Sequence, residues 1–268
     1  MIKKTYRTIF LCGFVILLQP LHLKSQPNIY AKSGIPPENL EIFLLIGQSN
    51  MAGRAEIQKQ DSDTLESVFL FTGIYGQEWE KAANPLNKYS TVRKELSMQK
   101  LGPGYTFAKK MSRNLQGKQI GLVVNAKGGT SIDEWAPGKE LYKEALSRTK
   151  LALIHGSLKG VIWLQGESDV DKIDAYPEKI NGLINSLRND FKINDLPFVA
   201  AQLSEDNSQR KAFNHMLIHL PERIEKMAVI SSDSTTTFDG THFNSESQRL
   251  LGERFAREMR KLLDNQSH

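Results

Sequence analysis

Ser49, His242 and Asp239 are residues of the types needed to transfer an acyl group to water. A serine hydroxyl becomes a nucleophile when a base takes its proton, and a carboxylate orients that base. Ser49 lies in Gly47-Gln48-Ser49-Asn50-Met51-Ala52-Gly53, directly behind the apolar run Ile42-Phe43-Leu44-Leu45-Ile46. That run is short, rich in branched and aromatic side chains, and lacks helical spacing, so it predicts a buried strand. Gly47 allows a sharp turn at its end. In an open α/β sheet, ligands bind beyond the C-terminal ends of strands, which is where this serine falls. The same position equally suits a turn serine that caps the next helix.

His242 ends the segment Asp239-Gly240-Thr241-His242. One tight turn through Gly240 would bring the carboxylate to the imidazole. A surface histidine beside a turn aspartate is the competing reading. His155, His215 and His219 fall in or at the ends of predicted helices, where packing or solvent exposure is expected. Three groups are candidate donors to a developing oxyanion. They are the backbone N–H of Ser49, the backbone N–H of Gly129 in Lys127-Gly128-Gly129-Thr130-Ser131, and the side-chain amide of Gln165. Gln165 opens Gln165-Gly166-Glu167-Ser168-Asp169, in which Glu167 and Asp169 also read as a carboxylate pair. With His242 given to the serine, no Asp/His cluster has metal-ligand spacing.

These residues need a scaffold that gathers them. Apolar runs at 41–46, 68–71, 119–126, 160–164, 197–203 and 228–230 predict strands. Helical spacing follows Gly102-Pro103-Gly104, and helices are predicted over 141–154, 176–191, 208–224 and 246–263. For 141–154 the expected apolar face is Leu141, Ala145, Leu146, Leu151 and Ile154. Residues 75–100 read as a long surface excursion. Strands alternating with helices of crossover length predict an α/β fold, a three-layer αβα sandwich. Its sheet is expected to be mainly parallel and flavodoxin-like, with about five strands. All the polar stretches would then meet at one edge.

The 268 residues open with Lys3, Lys4 and Arg7, then an apolar run to about Leu21 and small or polar residues near Ser25-Gln26. This predicts a signal peptide over 1–26 and a single domain over 27–268. Export to the periplasm or the cell exterior follows, with no stable membrane insertion after cleavage; an uncleaved anchor is the alternative. The leader carries four bases (Lys3, Lys4, Arg7, Lys24) and no acid, so its removal lowers the net charge from +5 to +1. Nothing in that balance calls for a nucleic acid or an anionic surface. Cys12, the one cysteine, is also in the leader, which excludes disulfides and thiol catalysis from the mature chain.

In order, the blocks Gly47–Gly53, Gly128-Gly129-Thr130-Ser131 with Trp135, Trp163–Asp169 and Asp239-Gly240-Thr241-His242-Phe243 resemble one family. It is the sialate O-acetylesterase/acetylxylan esterase group of the SGNH hydrolases, carbohydrate esterase family six. Gly102-Pro103 before Phe107-Ala108 fits the same group, and the resemblance spans nearly all of the mature chain. It implies an SGNH hydrolase fold in which Ser49 is the nucleophile, His242 the base and acid, and Asp239 the orienting acid. Ser49 N–H, Gly129 N–H and Gln165 would form the oxyanion hole. Gln48, Asn50, Glu167 and Asp169 would organise the site. Gln48 stands where the wider superfamily often has aspartate, and Gln165 where it usually has asparagine. Trp135 is expected in the core and Arg54 at the surface or anchoring a loop. Arg210 matches the group's pattern only in part, because the glutamine often seen with it is missing.

The implied activity is removal of acetyl groups from carbohydrates, with no cofactor. Two alternatives remain: a non-catalytic carbohydrate-binding protein on the same fold, or an esterase for lipid or thioester substrates.

Overall fold

β1 (Leu40–Gly47) runs through the middle of the sheet, and every one of its eight residues is buried. A strand with no polar face must be covered on both sides. Leu40, Ile42, Leu44 and Ile46 pack into one core and Phe43 and Leu45 into the other, as the alternation of side chains along a strand requires. The computed structural model describes Met1 and residues 37–113 and 118–264. Apart from Met1, the leader expected over 1–26 lies outside these residues. Ile35–His268 forms one compact unit.

The first core is closed by α3 (Glu140–Ala152), α4 (Tyr176–Phe191) and α5 (Ser208–Ile218). The second is closed by α2 (Gly104–Ser112) and α6 (Ser245–Asp264). In the second core Phe43 meets Phe107 edge to face at 5.2 Å. The layers are thus the expected αβα sandwich. No helix among the described residues is long and apolar enough to cross a membrane.

The sheet has seven strands rather than about five. They are β1, β2 (Leu65–Phe71), β3 (Trp79–Ala82), β4 (Ile120–Val124), β5 (Gly156–Leu164), β6 (Phe198–Ala201) and β7 (Met227–Ile230), in the order β3-β2-β4-β1-β5-β6-β7. Taken alone, β4-β1-β5-β6-β7 is the flavodoxin order. All neighbours among these five are parallel. The addition is a β2–β3 pair at one edge, with β3 antiparallel.

That edge corrects the reading of residues 75–100 as a surface excursion. Trp79–Ala82 is a strand of the sheet. Asn87 is buried and bonds the backbone of Ala126 in both directions, its Nδ2 donating to O and its Oδ1 accepting from N, each at 3.0 Å. One amide side chain thereby stitches the excursion to the loop after β4.

The expected face of α3 is also partly wrong. Leu151 and Ile154 are 53% and 77% exposed. The buried stripe is Leu141, Tyr142, Ala145, Arg148, Thr149 and Ala152, the i, i+1, i+4, i+7, i+8 and i+11 positions of one helix face. Arg148 is buried on this face despite its charge. It donates to Phe71 O at 3.0 Å and lies over the Phe71 ring, and burial pushes its pKa down to about 10.

At the end of β1, Gly47 adopts φ +140°. A Cβ there would sit 2.2 Å from the carbonyl oxygen of Leu164 on β5. Both the backbone angle and the contact exclude a side chain. Gly47→Ala is expected to destabilise the protein by about 2–4 kcal/mol, measured by urea unfolding of the full chain.

Candidate active site

The turn after Gly47 is held from both flanking strands. Gln48 N donates to Leu164 O at 2.9 Å, and Lys127 N donates to Gly47 O at 3.1 Å. α1 (Ser49–Ala52) starts immediately and lifts Ser49 to the C-terminal edge of the sheet. The helix-cap alternative for Ser49 does not hold, since its hydroxyl is engaged elsewhere. His242 Nε2 lies 3.0 Å from Ser49 Oγ, and His242 Nδ1 lies 2.6 Å from Asp239 Oδ2. Serine, imidazole and carboxylate, 193 positions apart at the extremes of the Ser–His contact, form one line of hydrogen bonds.

Asp239 is fixed by its own loop. Its Oδ1 accepts from the N–H of Thr241 at 3.0 Å and of His242 at 2.7 Å. Partial burial raises its pKa, but the bonds from the His242 ring and from the two N–H groups outweigh that and hold the carboxyl below its ordinary value. Asp239 is therefore a charged acceptor at neutral pH, which favours the imidazole with a proton on Nδ1 and its Nε2 lone pair toward Ser49.

Asn50 joins the serine turn to the histidine loop. Fully buried, it donates from Nδ2 to Glu167 Oε1 at 2.6 Å and to Thr241 O at 3.1 Å. Its Oδ1 accepts from Phe243 N at 3.0 Å. Arg210 acts from the other side, as sequence reasoning did not foresee. From α5 its Nη1 donates to Gly240 O at 2.7 Å and Ser204 Oγ at 2.6 Å, and its Nη2 to Thr241 Oγ1 at 3.0 Å. Asn50 and Arg210 together clamp residues 240–243.

Gln165 is where the expected oxyanion hole fails. Its side chain is fully buried, and Nε2 donates to Thr130 O at 2.9 Å and Asp169 Oδ2 at 2.6 Å. An amide nitrogen has two hydrogens, so none remains for a substrate oxygen. Oε1 accepts from Tyr176 at 3.0 Å. Gln165 instead braces the glycine loop. Asp169 completes the brace by accepting from Ile132 N at 2.8 Å. Trp135 adds a bond from Nε1 to Thr130 Oγ1 at 3.1 Å and is fully buried, as expected. The backbone N–H groups of Ser49 and Gly129 donate to nothing among the described residues. A Cβ on Gly128 would lie 3.3 Å from Ser49 Cβ, so this glycine lets the loop close directly onto the serine.

Gln48 Oε1 faces Gln165 Nε2 and Ser168 Oγ, each at 3.5 Å. Glu167 makes no hydrogen bond to Ser49 or His242. Burial pushes its carboxyl up, and the bond from Asn50 and the charges of Arg210 and His242 offset this only in part. Its Oε2 has no partner among the described residues. Burial raises Asp169 as well. Arg54 does anchor a loop, donating from Nη1 to Gly53 O at 2.7 Å and to Met98 O at 3.1 Å. It also reaches the site, because its Nη2 is 2.7 Å from where a Gly128 Cβ would be. Of the other histidines, His155 packs edge to face on Trp79 at 6.2 Å, and His215 and His219 face each other at 5.0 Å.

A cleft of about 580 Å³ borders this centre through Arg54 and Phe238. A larger one, about 690 Å³, lies at the opposite end of the strands beside Leu40, Lys118 and His155. It is lined by His155 and Ser157, but no hydrogen bond joins their side chains among the described residues, so size does not mark the site here.

The sequence pattern of the carbohydrate esterase, sialic acid-specific acetylesterase family matches residues 39–261. The chain belongs to that family. This acetylesterase-family chain is accordingly an enzyme, a carboxylic ester hydrolase of the carbohydrate O-acetylesterase class. It is 30% identical over 250 residues to a probable carbohydrate esterase of Arabidopsis thaliana, covering 85% of this chain and 92% of the relative. It is 29% identical over 216 residues to the sialate O-acetylesterase of Pongo abelii, covering 64% of this chain and 41% of the relative, so it spans less than half of that protein. A solved Arabidopsis thaliana structure superposes with a TM-score of 0.76 at 28% identity, covering 85% of this chain and all of that one. A carbohydrate acetylesterase from Xanthomonas citri gives 0.62 at 21% identity over 84% of this chain and 57% of that one, which shows a shared fold.

Two outcomes follow from the clamp and its carboxyls. Arg210→Met is expected to lower kcat about 10- to 100-fold with little change in KM, because the loop carrying His242 loses its register; steady-state kinetics read this. A carboxyl whose folded pKa is raised binds its proton more tightly in the folded state. Stability then falls as pH rises from about 4 through the folded pKa. Glu167→Gln removes one such group, so its Tm should decline less than that of the wild type between pH 4 and 7, as scanning calorimetry would record.

Proposed function

We propose that this esterase removes O-acetyl groups from carbohydrates through an acyl-enzyme formed on Ser49. The observation that carries the reading is the position of His242, 3.0 Å from Ser49 Oγ and 2.6 Å from Asp239. Ser49 Oγ attacks the acetyl carbonyl carbon while its proton passes to His242 Nε2. The N–H groups of Ser49 and Gly129 stabilise the oxyanion. The bond from the carbonyl carbon to the sugar oxygen breaks, and His242 gives its proton to that oxygen. Water then attacks the acetyl-serine, transfers a proton to His242, and acetate leaves as Ser49 recovers its hydrogen. Asp239 stays ionised and holds the imidazolium.

The names of the relatives support an acetylated sugar as substrate, with acetylated sialic acid and acetylated xylan-type oligosaccharides as the two classes to compare. The basic and apolar character of residues 1–26 supports export through a cleaved leader to the periplasm or exterior, leaving residues 27–268 as one domain.

The test is acetate release from 4-nitrophenyl acetate, acetylated xylo-oligosaccharides and O-acetylated sialic acid. Ser49→Ala and His242→Ala should lower kcat by several orders of magnitude, and Asp239→Asn by about 10⁴-fold. Turnover near wild type in Ser49→Ala would overturn the mechanism. Glycan binding by the wild type without any acetate release would favour a binding protein, and preference for long-chain or thioesters would favour the other alternative.

A further inference from the structure

The cleft beside the nucleophile has no role in the chemistry derived so far. Its walls include Arg54, Glu56, Lys100, Phe238, Asn244 and Glu246. Two of these residues touch the catalytic centre. Phe238 stacks on the His242 ring with centroids 5.9 Å apart and planes at 23°. Arg54 lies against Gly128, the residue that packs on Ser49. The cleft therefore leads directly away from the serine–histidine pair.

Phe238 is 56% exposed, although a phenyl ring gains from burial. Its backbone is held: Phe238 N donates to His242 O at 3.0 Å, and Thr237 bridges Phe243. With one face on His242, the ring presents an apolar surface to the cleft from a fixed position. Around it the walls are polar and of mixed sign. Arg54 spends Nη1 on two carbonyls, and among the described residues neither Arg54 nor Lys100 is ion-paired with a carboxylate. Glu56 and Glu246 supply acceptors in the same cleft. An acyl chain would meet a single apolar side chain here. A pyranose has a C–H face to lay on an aromatic ring and a rim of hydroxyls to bond with donors and acceptors of both kinds. The leaving oxygen must come within reach of His242 Nε2, and the stacking of Phe238 on that ring places this cleft next to it.

We propose that this cleft is the subsite for the leaving group: a pyranose ring stacks on Phe238 while its acetyl ester reaches Ser49, and Arg54 and Lys100 donate to its oxygens. The subsite rests on the reading of Ser49 as the deacetylating nucleophile.

The test compares Phe238→Ala, Phe238→Tyr and Phe238→Trp with the wild type on acetylated xylo-oligosaccharides, O-acetylated sialic acid and 4-nitrophenyl acetate. Phe238→Ala should raise KM for the preferred acetylated sugar about three- to tenfold more than for the aryl ester. Tyr and Trp should restore it, and Lys100→Met should raise the same KM by a smaller factor. Equal losses on sugar and aryl esters, or no restoration by Tyr and Trp, would mean that Phe238 only props His242 and would overturn the subsite. Binding of xylotriose and N-acetylneuraminic acid to the Ser49→Ala protein, read by saturation-transfer NMR, needs no turnover. Weaker binding of either sugar on adding Phe238→Ala supports the subsite, and unchanged binding of both overturns it. Failure of the wild type to hydrolyse any of the esters counts against the esterase reading, whatever the binding experiment gives.

Discussion

The approach of Gly47 to the carbonyl of Leu164 is the constraint on which the site depends. β1 is flanked by β4 and β5 in parallel, so its end opens between the two loops that follow those strands. The 2.2 Å space left for a Cβ admits only hydrogen. The chain can therefore turn at once, with Gln48 bonded to β5 and Gly47 bonded to the loop after β4. Ser49 has its position before any side chain of the site contributes. A looser turn would leave the serine hydroxyl on a mobile loop, where a hydrogen bond to a distant histidine gains little against the entropy of holding it.

Around that turn lies a buried polar layer. Asn50, Gln165 and Asp169 are fully buried, and groups of this kind are costly unless bonded. Their bonds tie the serine turn, the glycine loop and the loop after β5 into one body. Glu167 and Asp169 are pushed upward by burial. Asp239 sits lower because several donors face it. Three carboxyls near one centre thus differ in environment: two act as braces, and one is kept ionised where a charge is useful.

Much of this was legible in the chain. The strand before Ser49 and helix 176–191 follow from local patterns, because apolar periodicity reports which face is buried, and the alternation of strands with helices of crossover length points to a mainly parallel, flavodoxin-like sheet. Asp239 and His242 are three residues apart, so their contact is a local turn. What escaped the sequence was of another kind. Residues 75–100 have weak periodicity, and their strand exists only because β2 offers an edge. Hydropathy places Leu151 on the buried face of α3 and leaves out Arg148, because it does not register an arginine whose head group finds a carbonyl and an aromatic ring. Gln165 was expected to face the substrate because it ends a strand, and nothing local reveals that Thr130 and Asp169 take both its hydrogens.

The sequence by itself pointed to the class of chemistry and, through the family resemblance of its ordered blocks, to Ser49, His242 and Asp239 as the candidates, since residue types and short spacings are local properties. Only the tertiary structure decided that Ser49 and His242 meet, that Arg210 and Asn50 clamp the loop between them, that Gln165 is a brace, and that Phe238 faces an open cleft. The reason is physical: a hydrogen bond has a reach of about 3 Å, and which groups come within that reach across the sheet edge is set by strand order and register, not by neighbours along the chain.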